Sequence, residues 1–475
     1  MADLTVWHRS AGETGDGHIL VPHRRIASRA DLVSDSLLYD ILCVVLATML
    51  VAFGLTLVVR RLARSRPEFK VGAPLALGVG VRLLAIVGVA TSGVGEALRG
   101  GDEITFLTRA RAIAGAPFDA GVWLPVDASH RLHEIVFALQ IRLADFPEVA
   151  LRVTQVGIAM LGIVLVVAAI HDVAGPRAAR LGMWVLALEP AAIFFNSILH
   201  REPLLVLASG LVVFGGSKIW AKLELSGVLL LGLGCTIALA TRPYAAWFLI
   251  TGGLLLIVHA SLRQVGTRLR SIPLIYAVVL VAAAATPAVL SLTSQDSLEQ
   301  NLQGAQNANT DPNAVRGSTN SNNLSLERVD FSSRADLVTN LPRRMRDVLL
   351  RPYPWQLQNT SQQLGAIGTM VAIAGLVLLF GYVRRNRGQL LAVSAPFIYP
   401  AFFLLVAYAL SVGNAGTGFR YRTHLVLLGL ATLIVLREHA LRRESAGGDE
   451  EPQTRLAPPG GAVAELRGEP KALVT

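Results

Sequence analysis

The sequence predicts an all-α fold, a polytopic bundle of about eleven transmembrane helices with two long loops on one side of the membrane. Of the 475 residues, 53% are hydrophobic and only 16% are charged. The mean hydropathy is +0.52, a value that a soluble domain of this length rarely shows. Apolar runs recur along the chain, and about 18 apolar residues suffice for a helix to cross a bilayer. These observations exclude an ordinary soluble enzyme.

The apolar runs predict the spans in order along the chain. The fifth and sixth runs are short and the last is interrupted, so the count of spans is approximate. We expect a transmembrane domain at 37–443, between a polar N-terminal segment at 1–36 and a disordered tail at 444–475. The runs cover residues 37–59, 71–98, 149–171, 181–199, 203–217, 225–241, 243–260, 272–292, 364–383, 390–412 and 421–436.

The positions of the basic residues predict the orientation of the protein. Six short loops on one side of the membrane, among them 60–70 and 437–443, hold 18 Lys or Arg in 51 residues. Cytoplasmic loops of multi-pass proteins carry such an excess of cations. We therefore expect a protein of the inner (plasma) membrane with an external N-terminus and a cytoplasmic C-terminus. Both long loops, 99–148 and 293–363, are then external.

Each long loop has a pattern that is typical of helices lying on a membrane surface. In the first loop, residues 102–114 and 130–145 repeat apolar positions every three or four residues. The second loop begins with a Gln-, Asn- and Ser-rich stretch and ends in LPRRMRDVLLRPYPWQLQ. That ending predicts an interfacial helix with an aromatic anchor.

Charge, cysteine content and motifs exclude further classes of protein. The net charge of +10 comes mainly from the short basic loops, so we expect membrane lipid and not nucleic acid as a partner. Both cysteines, Cys43 and Cys235, lie inside apolar runs, which excludes a disulfide framework. No phosphate loop of the GxxxxGK(S/T) type occurs. ATP-driven work and a cytosolic nucleotide-sugar site are therefore not expected.

The sharpest chemical signal is a pair of adjacent carboxylates, Asp102 and Glu103, which opens the first long loop directly after a span. A carboxylate at an interface can act as a general base, because partial desolvation raises the pKa of such a group toward neutrality. The alternative is structural. In that case Asp102 caps the helix that follows, and Glu103 complements the dipole of that helix.

A second signal is a set of arginines at the predicted external ends of spans. The positive-inside rule does not call for cations there, so another reason is needed. A guanidinium matches the geometry of phosphate oxygens and stays charged in any environment, which favours an anionic lipid headgroup. For any single member, pairing with a loop carboxylate explains its position equally well. The members are Arg99, Arg201, Arg242, Arg351, Arg420 and Arg422.

Two short segments place other polar side chains beside these arginines. His200, Arg201 and Glu202 form a turn between two spans, which is either a lipid-phosphate contact or a tight, charged hairpin. The segment GNAGTGFRYRTH joins a Gly-rich turn to two of the arginines and to His424. Its glycines either permit close approach of a ligand or only shape the turn.

Two charged residues lie inside predicted spans, where an unpaired charge is costly. Arg82 and Glu189 are at similar distances from the cytoplasmic ends of their spans. We therefore expect these two side chains to pair with each other within the membrane.

Parts of the chain resemble the GT-C superfamily of membrane glycosyltransferases, in particular bacterial relatives of protein mannosyltransferases and aminoarabinose transferases. GDEITFLTRARAIAG looks like the family's first external loop, which carries Asp-Glu, an aromatic residue and several alanines. EPAAIFFNSILHREPLL and RPYPW look like segments of membrane proteins from exopolysaccharide clusters. The likeness spans about residues 71–437.

The resemblance implies a donor and a role for the carboxylates. In the family, the acidic residue that opens the first external loop is the proposed base or metal-associated residue, and that position falls on Asp102, with Glu103 beside it. The donor is usually a polyprenyl-phosphate sugar. The chain departs from the family in an additional first span and in His200-Arg201-Glu202, where relatives often have Lys followed by an acidic residue.

The sequence therefore predicts an integral-membrane glycosyltransferase that moves a sugar from a polyprenyl-phosphate donor to a cell-envelope glycan, lipid or protein on the external face. Asp102 is expected to take the acceptor proton, while Glu103 assists it or holds a divalent cation, Mg or Mn. The expected lipid-phosphate ligands are Arg201, Arg242, Arg351, Arg420 and Arg422, with His200, Glu202 and His424 beside them.

Two alternatives remain open. One is a polysaccharide polymerase or ligase that uses lipid-diphosphate-linked glycans, in which arginines rather than an acidic base dominate the site. The other is a non-enzymatic flippase for lipid-linked glycans. A flippase needs a polar path through the membrane, for which the spans offer little beyond Arg82 and Glu189.

Overall fold

The computed structural model describes residues 29–91, 94–123, 131–264, 334–357, 360–386, 388–411 and 415–448. These residues form helices and no strand, as the sequence predicts for an all-α protein. Eight of the described helices are long and apolar enough to cross a membrane, which confirms the membrane-protein class. The predicted span at 272–292 lies outside the described residues, and the count of about eleven spans stays a prediction.

The helices follow the predicted order of apolar segments. A 3-10 turn, Pro354–Gln356, comes after the eleventh helix. The helices are α1 Arg29–Ser65, α2 Gly72–Thr91, α3 Val94–Gly115, α4 Ala120–Trp123, α5 Leu132–Ala144, α6 Glu148–Ala187, α7 Pro190–Phe195, α8 Glu202–Lys222, α9 Leu225–Thr241, α10 Pro243–Gln264, α11 Arg334–Leu350, α12 Thr360–Arg385, α13 Leu390–Ser411 and α14 Ala415–Gly448.

The helices predicted for the two long loops are present. They are α3 and α5 in the first loop and α11 in the second. Helix α14 continues past Glu444, the predicted start of the disordered tail, and ends at Gly448. Most of the predicted N-terminal segment and the remainder of the tail, 449–475, lie outside the described residues.

Helix α6 is a helical hairpin rather than a straight helix. The chain reverses at Gly175, whose φ of 84° and ψ of −178° lie outside the helical region. Residues with a side chain rarely adopt that φ, so the turn requires a glycine. A Cβ added at Gly182 would lie 2.9 Å from Ile170 Cδ1, although the same stretch of straight helix would rise about 18 Å. The two halves of α6 therefore pack side by side, the first matching the predicted span at 149–171 and the second beginning the predicted span at 181–199.

The helices of the bundle run between two ends, which we name the Gly175 end and the Glu103 end after a residue at each. At the Gly175 end, Arg66 binds both carboxylate oxygens of Asp172 at 2.7 Å. Arg442, near the end of α14, donates to the backbone just before Gly175. Basic loops that the sequence groups on one side of the membrane thus meet at this end. The three helices of the long loops lie at the opposite, Glu103 end.

Glycines allow α8 to pack closely against α6 and α9. A Cβ added at Gly162 of α6 would lie 2.5 Å from the carbonyl oxygen of Val206. One added at Gly234 of α9 would lie 2.6 Å from that of Ala208. Membrane helices associate through small residues because lipid supplies no hydrophobic driving force between them. Helix α8 is therefore fixed between two neighbours, and its first residue, Glu202, is fixed with it.

The expected ion pair between Arg82 and Glu189 is replaced by contacts with the backbone. The second half of α6 ends at Ala187 and α7 begins at Pro190, so this span is a broken helix with open backbone groups. Arg82 Nη1 donates to the carbonyl oxygen of Ala187 at 2.6 Å. Glu189 accepts from two amides in the first turn of α7. The two charges satisfy both sides of the break, which lipid cannot do.

We expect Gly162→Ala to destabilise the protein, because the added methyl group meets the backbone of α8. Overpacking of this kind costs about 1–3 kcal/mol. The matched control is Gly429→Ala in α14, where nothing lies within 4 Å of an added Cβ, and where alanine favours the helix by up to about 1 kcal/mol. Thermal unfolding in detergent measures both. A Gly162→Ala midpoint at or above that of the wild type would contradict the close packing.

Candidate functional site

A cavity of about 100 Å³ lies at the Glu103 end of the bundle. Its walls come from α3, from the turn before α8, from the junction of α9 and α10, and from the start of α14. Three guanidinium groups and one carboxylate give the lining a net positive charge, which favours an anionic ligand. The lining residues are Phe106, His200, Arg201, Glu202, Arg242, Arg420 and Tyr421.

Glu202 and Arg242 form the buried wall of this cavity. Glu202 is 1% exposed, and its Oε1 atom accepts from Nη2 of Arg242 at 3.2 Å. Arg242 follows the last residue of α9, and its guanidinium lies 3.8 Å from the centre of the Tyr421 ring. Glu202 is the first residue of α8, where the helix dipole favours a carboxylate. Each partner is therefore held by a charge and by a second, independent contact.

Arg201 lies beside this pair and is partly exposed. Its guanidinium lies 4.8 Å from the centre of the Phe106 ring, an aromatic face that attracts a cation. The His133 ring of α5 supports Phe106 in a T-shaped contact, with 4.4 Å between ring centres. Burial, with a smaller effect from Arg242, lowers the pKa of Arg201. The group nonetheless stays charged, because guanidinium does not deprotonate in proteins.

Arg420 approaches the cavity from α14 and contacts His200. Its Nη1 atom lies 3.3 Å from His200 Nδ1. A guanidinium can only donate hydrogen bonds, so His200 Nδ1 is the acceptor, and the imidazole carries its proton on Nε2. The contact places the imidazole of His200 beside the guanidinium of Arg420 in the cavity lining.

His424 connects α14 to the start of α8. Its Nε2 atom lies 3.3 Å from the carbonyl oxygen of Glu202 and its Nδ1 atom 3.2 Å from that of Tyr421. The ring is buried and does not line the cavity. His424 therefore supports the backbone of two lining residues.

Arg422 was expected to bind phosphate, but its guanidinium is occupied elsewhere. It is 1% exposed and donates to the carbonyl oxygens of Arg351 at 2.7 Å, Leu349 at 3.2 Å and Gly365 at 2.7 Å. It also donates to Thr369 Oγ1 at 2.7 Å. Two residues of a helix subtend about 200°, so Arg420 and Arg422 point to different sides of α14. The contacts of Arg422 join α14 to α11 and α12.

Arg351 also lies outside the cavity lining. Its Nε atom lies 3.3 Å from Asp347 Oδ2, and its guanidinium lies 5.8 Å from the centre of the Tyr353 ring. Its carbonyl oxygen accepts a hydrogen bond from Arg422. Arg351 therefore belongs to the set of contacts that joins α14 to α11 and α12, which we name the junction. The described arginines that the sequence analysis grouped at the external ends of spans are thus divided between the cavity and this junction.

Glu103 was expected to assist a base or to hold a cation, and it is 2% exposed. Its Oε1 atom accepts from Arg152 Nη2 at 2.9 Å and from the amide of Leu199 at 3.1 Å. This carboxylate therefore joins α3 to α6 and to the turn before α8. The side chains of Asp102 and Arg99 lie outside the described part of the structure, so the role of Asp102 stays a prediction.

A divalent cation does not fit the acidic residues of the described chain. Within the described ranges, no group of three or more His, Cys, Asp or Glu side chains is placed to hold a metal ion. Glu103 already binds an arginine, and so does Glu202. The expected Mg or Mn therefore gains no support from the arrangement of these carboxylates.

Three residues that build or support the site had no role in the sequence-based prediction. Phe106 and Tyr421 carry the rings beneath Arg201 and Arg242, and Arg152 holds Glu103. Phe106 follows Asp102 by four positions in the sequence, a spacing that in a helix could have indicated it. Arg152 is a charge inside an apolar run, which is a signal for a buried partner.

Comparison of the chain with protein-family models, with curated proteins and with solved structures found no match.

We expect Glu103→Gln to destabilise the protein more than Glu148→Gln. Removing one partner of a buried ion pair costs about 3–5 kcal/mol, whereas a partly exposed pair contributes about 0–1 kcal/mol. Glu148 is the matched control because it binds the same Arg152, at 2.5 Å, with its side chain 29% exposed. Thermal unfolding in detergent ranks the two variants. Equal midpoints would show that Glu103 is not the main partner of Arg152.

Proposed function

We propose that this chain is an integral-membrane glycosyltransferase that moves a sugar from a polyprenyl-phosphate donor to a cell-envelope glycan, lipid or protein. The observation that carries the proposal is the convergence of Arg201, Arg242 and Arg420 on one cavity at an end of a membrane helix bundle. These arginines come from three separate parts of the chain. Such convergence favours a ligand with a phosphate group that enters from the lipid.

The three arginines have different parts in this proposal. Arg201 and Arg420 are partly exposed, whereas Arg242 is buried against Glu202. The two exposed guanidiniums contact the phosphate, and Arg242 supplies positive charge from behind them. In the transfer, an acceptor hydroxyl oxygen bonds to the sugar carbon while the bond from that carbon to the phosphate oxygen breaks. The phosphate leaves with the electron pair, and fixed cations stabilise it as charge develops.

The proton of the acceptor hydroxyl needs a base. The resemblance to the GT-C superfamily assigns this role to Asp102, in the helix that also carries Phe106. Glu103 is committed to Arg152 and stabilises the position of α3. We therefore keep Asp102 as the proposed proton acceptor.

We further propose that the Glu103 end faces the outside of the cell and that the membrane is the inner membrane. The basic loops gather at the Gly175 end, which the positive-inside rule assigns to the cytoplasm. The donor sugar is then transferred on the external face, with the N-terminus external and the C-terminus cytoplasmic.

Single cysteines at the two ends test this orientation. Asp119→Cys lies after α3 at the Glu103 end, and Arg384→Cys lies near the end of α12 at the Gly175 end; both positions are exposed. The native Cys43 and Cys235 are buried and give little background. We expect a membrane-impermeant maleimide to label Asp119→Cys in intact cells and Arg384→Cys only after permeabilisation. The opposite pattern would reverse the proposed topology.

One observation favours a second candidate, a polymerase or ligase that uses lipid-diphosphate-linked glycans. The carboxylates of Glu103 and Glu202 are both bound to arginines, so arginines dominate the described part of the site. Comparing Asp102→Asn with Arg242→Ala separates the two candidates. Loss of transfer only in Arg242→Ala would favour the polymerase or ligase.

The main experiment is sugar transfer from radiolabelled polyprenyl-phosphate sugars to membrane extracts of the host. We expect Arg201→Gln and Arg420→Gln each to lower the transfer rate by about 10- to 100-fold, because each removes a charge-assisted contact worth about 1.5–3 kcal/mol. Arg109→Gln is the matched control, since Arg109 lies on α3, has a half-exposed side chain and pairs with Glu134 outside the cavity.

Protein amount and unfolding midpoint are matched across these variants before the rates are compared. Wild-type rates in both cavity variants would contradict the phosphate role of the arginines. Absence of transfer by the wild type from every donor in the panel would overturn the proposed reaction.

A further inference from the structure

The cavity lining contains a carboxylate, Glu202, beside its arginines. An ionised phosphate has no hydrogen-bond donor for this carboxylate. Glu202 lines the cavity and is 1% exposed. Its Oε1 atom accepts from Arg242, but its Oε2 atom has no hydrogen-bond partner among the described residues. A buried carboxylate oxygen without a donor is costly. This position therefore calls for a donor that the described chain does not supply.

The neighbouring guanidinium shows the complementary need. Within the described chain, the Nε and Nη1 atoms of Arg242 are buried without hydrogen-bond acceptors. Both residues line the cavity, so an acceptor without a donor and donors without an acceptor belong to the same lining. Arg201 and Arg420 also line the cavity, and both side chains are partly exposed.

Ligand groups differ in how well they satisfy this wall. A phosphate oxygen accepts hydrogen bonds and can bind guanidinium, but its negative charge repels Glu202. An ammonium group donates to Glu202 and is repelled by Arg242. A hydroxyl group both donates and accepts, so one hydroxyl can donate to Glu202 Oε2 and accept from Arg242. The wall therefore matches a neutral hydroxyl group.

The position of Glu202 is fixed before any ligand arrives. Helix α8 begins at this residue and packs against α6 at Gly162 without room for a side chain. The backbone oxygen of Glu202 lies 3.3 Å from His424 Nε2. A carboxylate held in this way binds a hydroxyl group in one orientation, which makes it selective.

We propose that Glu202 is a specificity-determining residue that binds a hydroxyl group of the same ligand whose phosphate binds Arg201 and Arg420. The ligand class is a phosphate diester that carries a polyhydroxylated group, such as a lipid-linked glycosyl phosphate, rather than a plain lipid phosphate. This inference rests on the proposed function, because it takes the phosphate position from it. The part of the cavity lining formed by Glu202 and Arg242 would then bind the sugar.

Two kinds of synthetic probe, one without a sugar and one with a sugar, test the assignment. One is citronellyl phosphate, and the other is a set of citronellyl phosphoryl hexoses that carry glucose, galactose or mannose. Binding to the full-length protein in detergent is measured by isothermal titration calorimetry. We expect Glu202→Gln to weaken the best hexose-bearing probe by about tenfold or more, because a charged hydrogen bond is lost. The affinity for citronellyl phosphate should stay the same or rise, because a negative charge is removed.

Arg420→Gln is the comparison variant, and it should weaken both probes. A second variant, Glu202→Asp, keeps the charge next to Arg242 but withdraws the carboxylate by one methylene group. It is expected to lose affinity for the hexose-bearing probe selectively, and it decides the question if Glu202→Gln does not fold.

The outcomes separate this inference from the proposed function. An equal effect of the Glu202 variants on both probes, or no effect on either, overturns the assignment of the sugar to Glu202 and leaves the phosphate role of the arginines in place. Failure of every probe to bind the wild type overturns the proposed function itself.

Discussion

Every buried charge in this bundle needs a partner inside the protein, because lipid offers neither counter-ions nor hydrogen bonds. Arg152 meets this constraint through Glu103, and Arg422 meets it through four oxygen atoms of α11, α12 and the residue that follows α11. Arg82 meets it at the end of a broken helix. Each partner ties together segments that are distant in sequence. The charges that a membrane should penalise therefore define how α3, α7, α11 and α14 are arranged around the long, apolar helices.

The same constraint separates structural arginines from those that remain for a ligand. Once a guanidinium has filled its donors with protein oxygens, as Arg422 has, it has little left to offer a substrate. Arg201 lies on an aromatic face instead, and Arg242 retains open donors within the described chain. Among the described residues, Arg82 and Arg152 also have buried donors without acceptors, so what sets Arg242 apart is its place in the cavity lining. A count of arginines at one membrane surface does not provide that information.

Much of the fold follows from the sequence, because hydropathy and the length of apolar runs are local properties. They predict the order of the long helices and the surface helices α3, α5 and α11. The site is less predictable. Arg420 and Arg422 are almost adjacent in sequence, yet their side chains reach different parts of the structure. Two residues along a helix turn the side-chain direction by about 200°. The predicted role of Glu103 followed from its neighbour Asp102. Its actual environment depends on Arg152, which lies 49 residues later in the sequence. The helix break beside Glu189 has a local signal in Pro190, but the contact of Arg82 with the carbonyl oxygen of Ala187 joins distant parts of the chain and has none.

Helix α14 carries the cavity residues Arg420 and Tyr421 on one side and Arg422 on another. A single inserted or deleted residue before this stretch would rotate everything after it by about 100° relative to the preceding turn. Such a change would move the cavity arginine and the junction arginine out of place together. This part of α14 can therefore tolerate substitutions in evolution, but it cannot tolerate insertions or deletions.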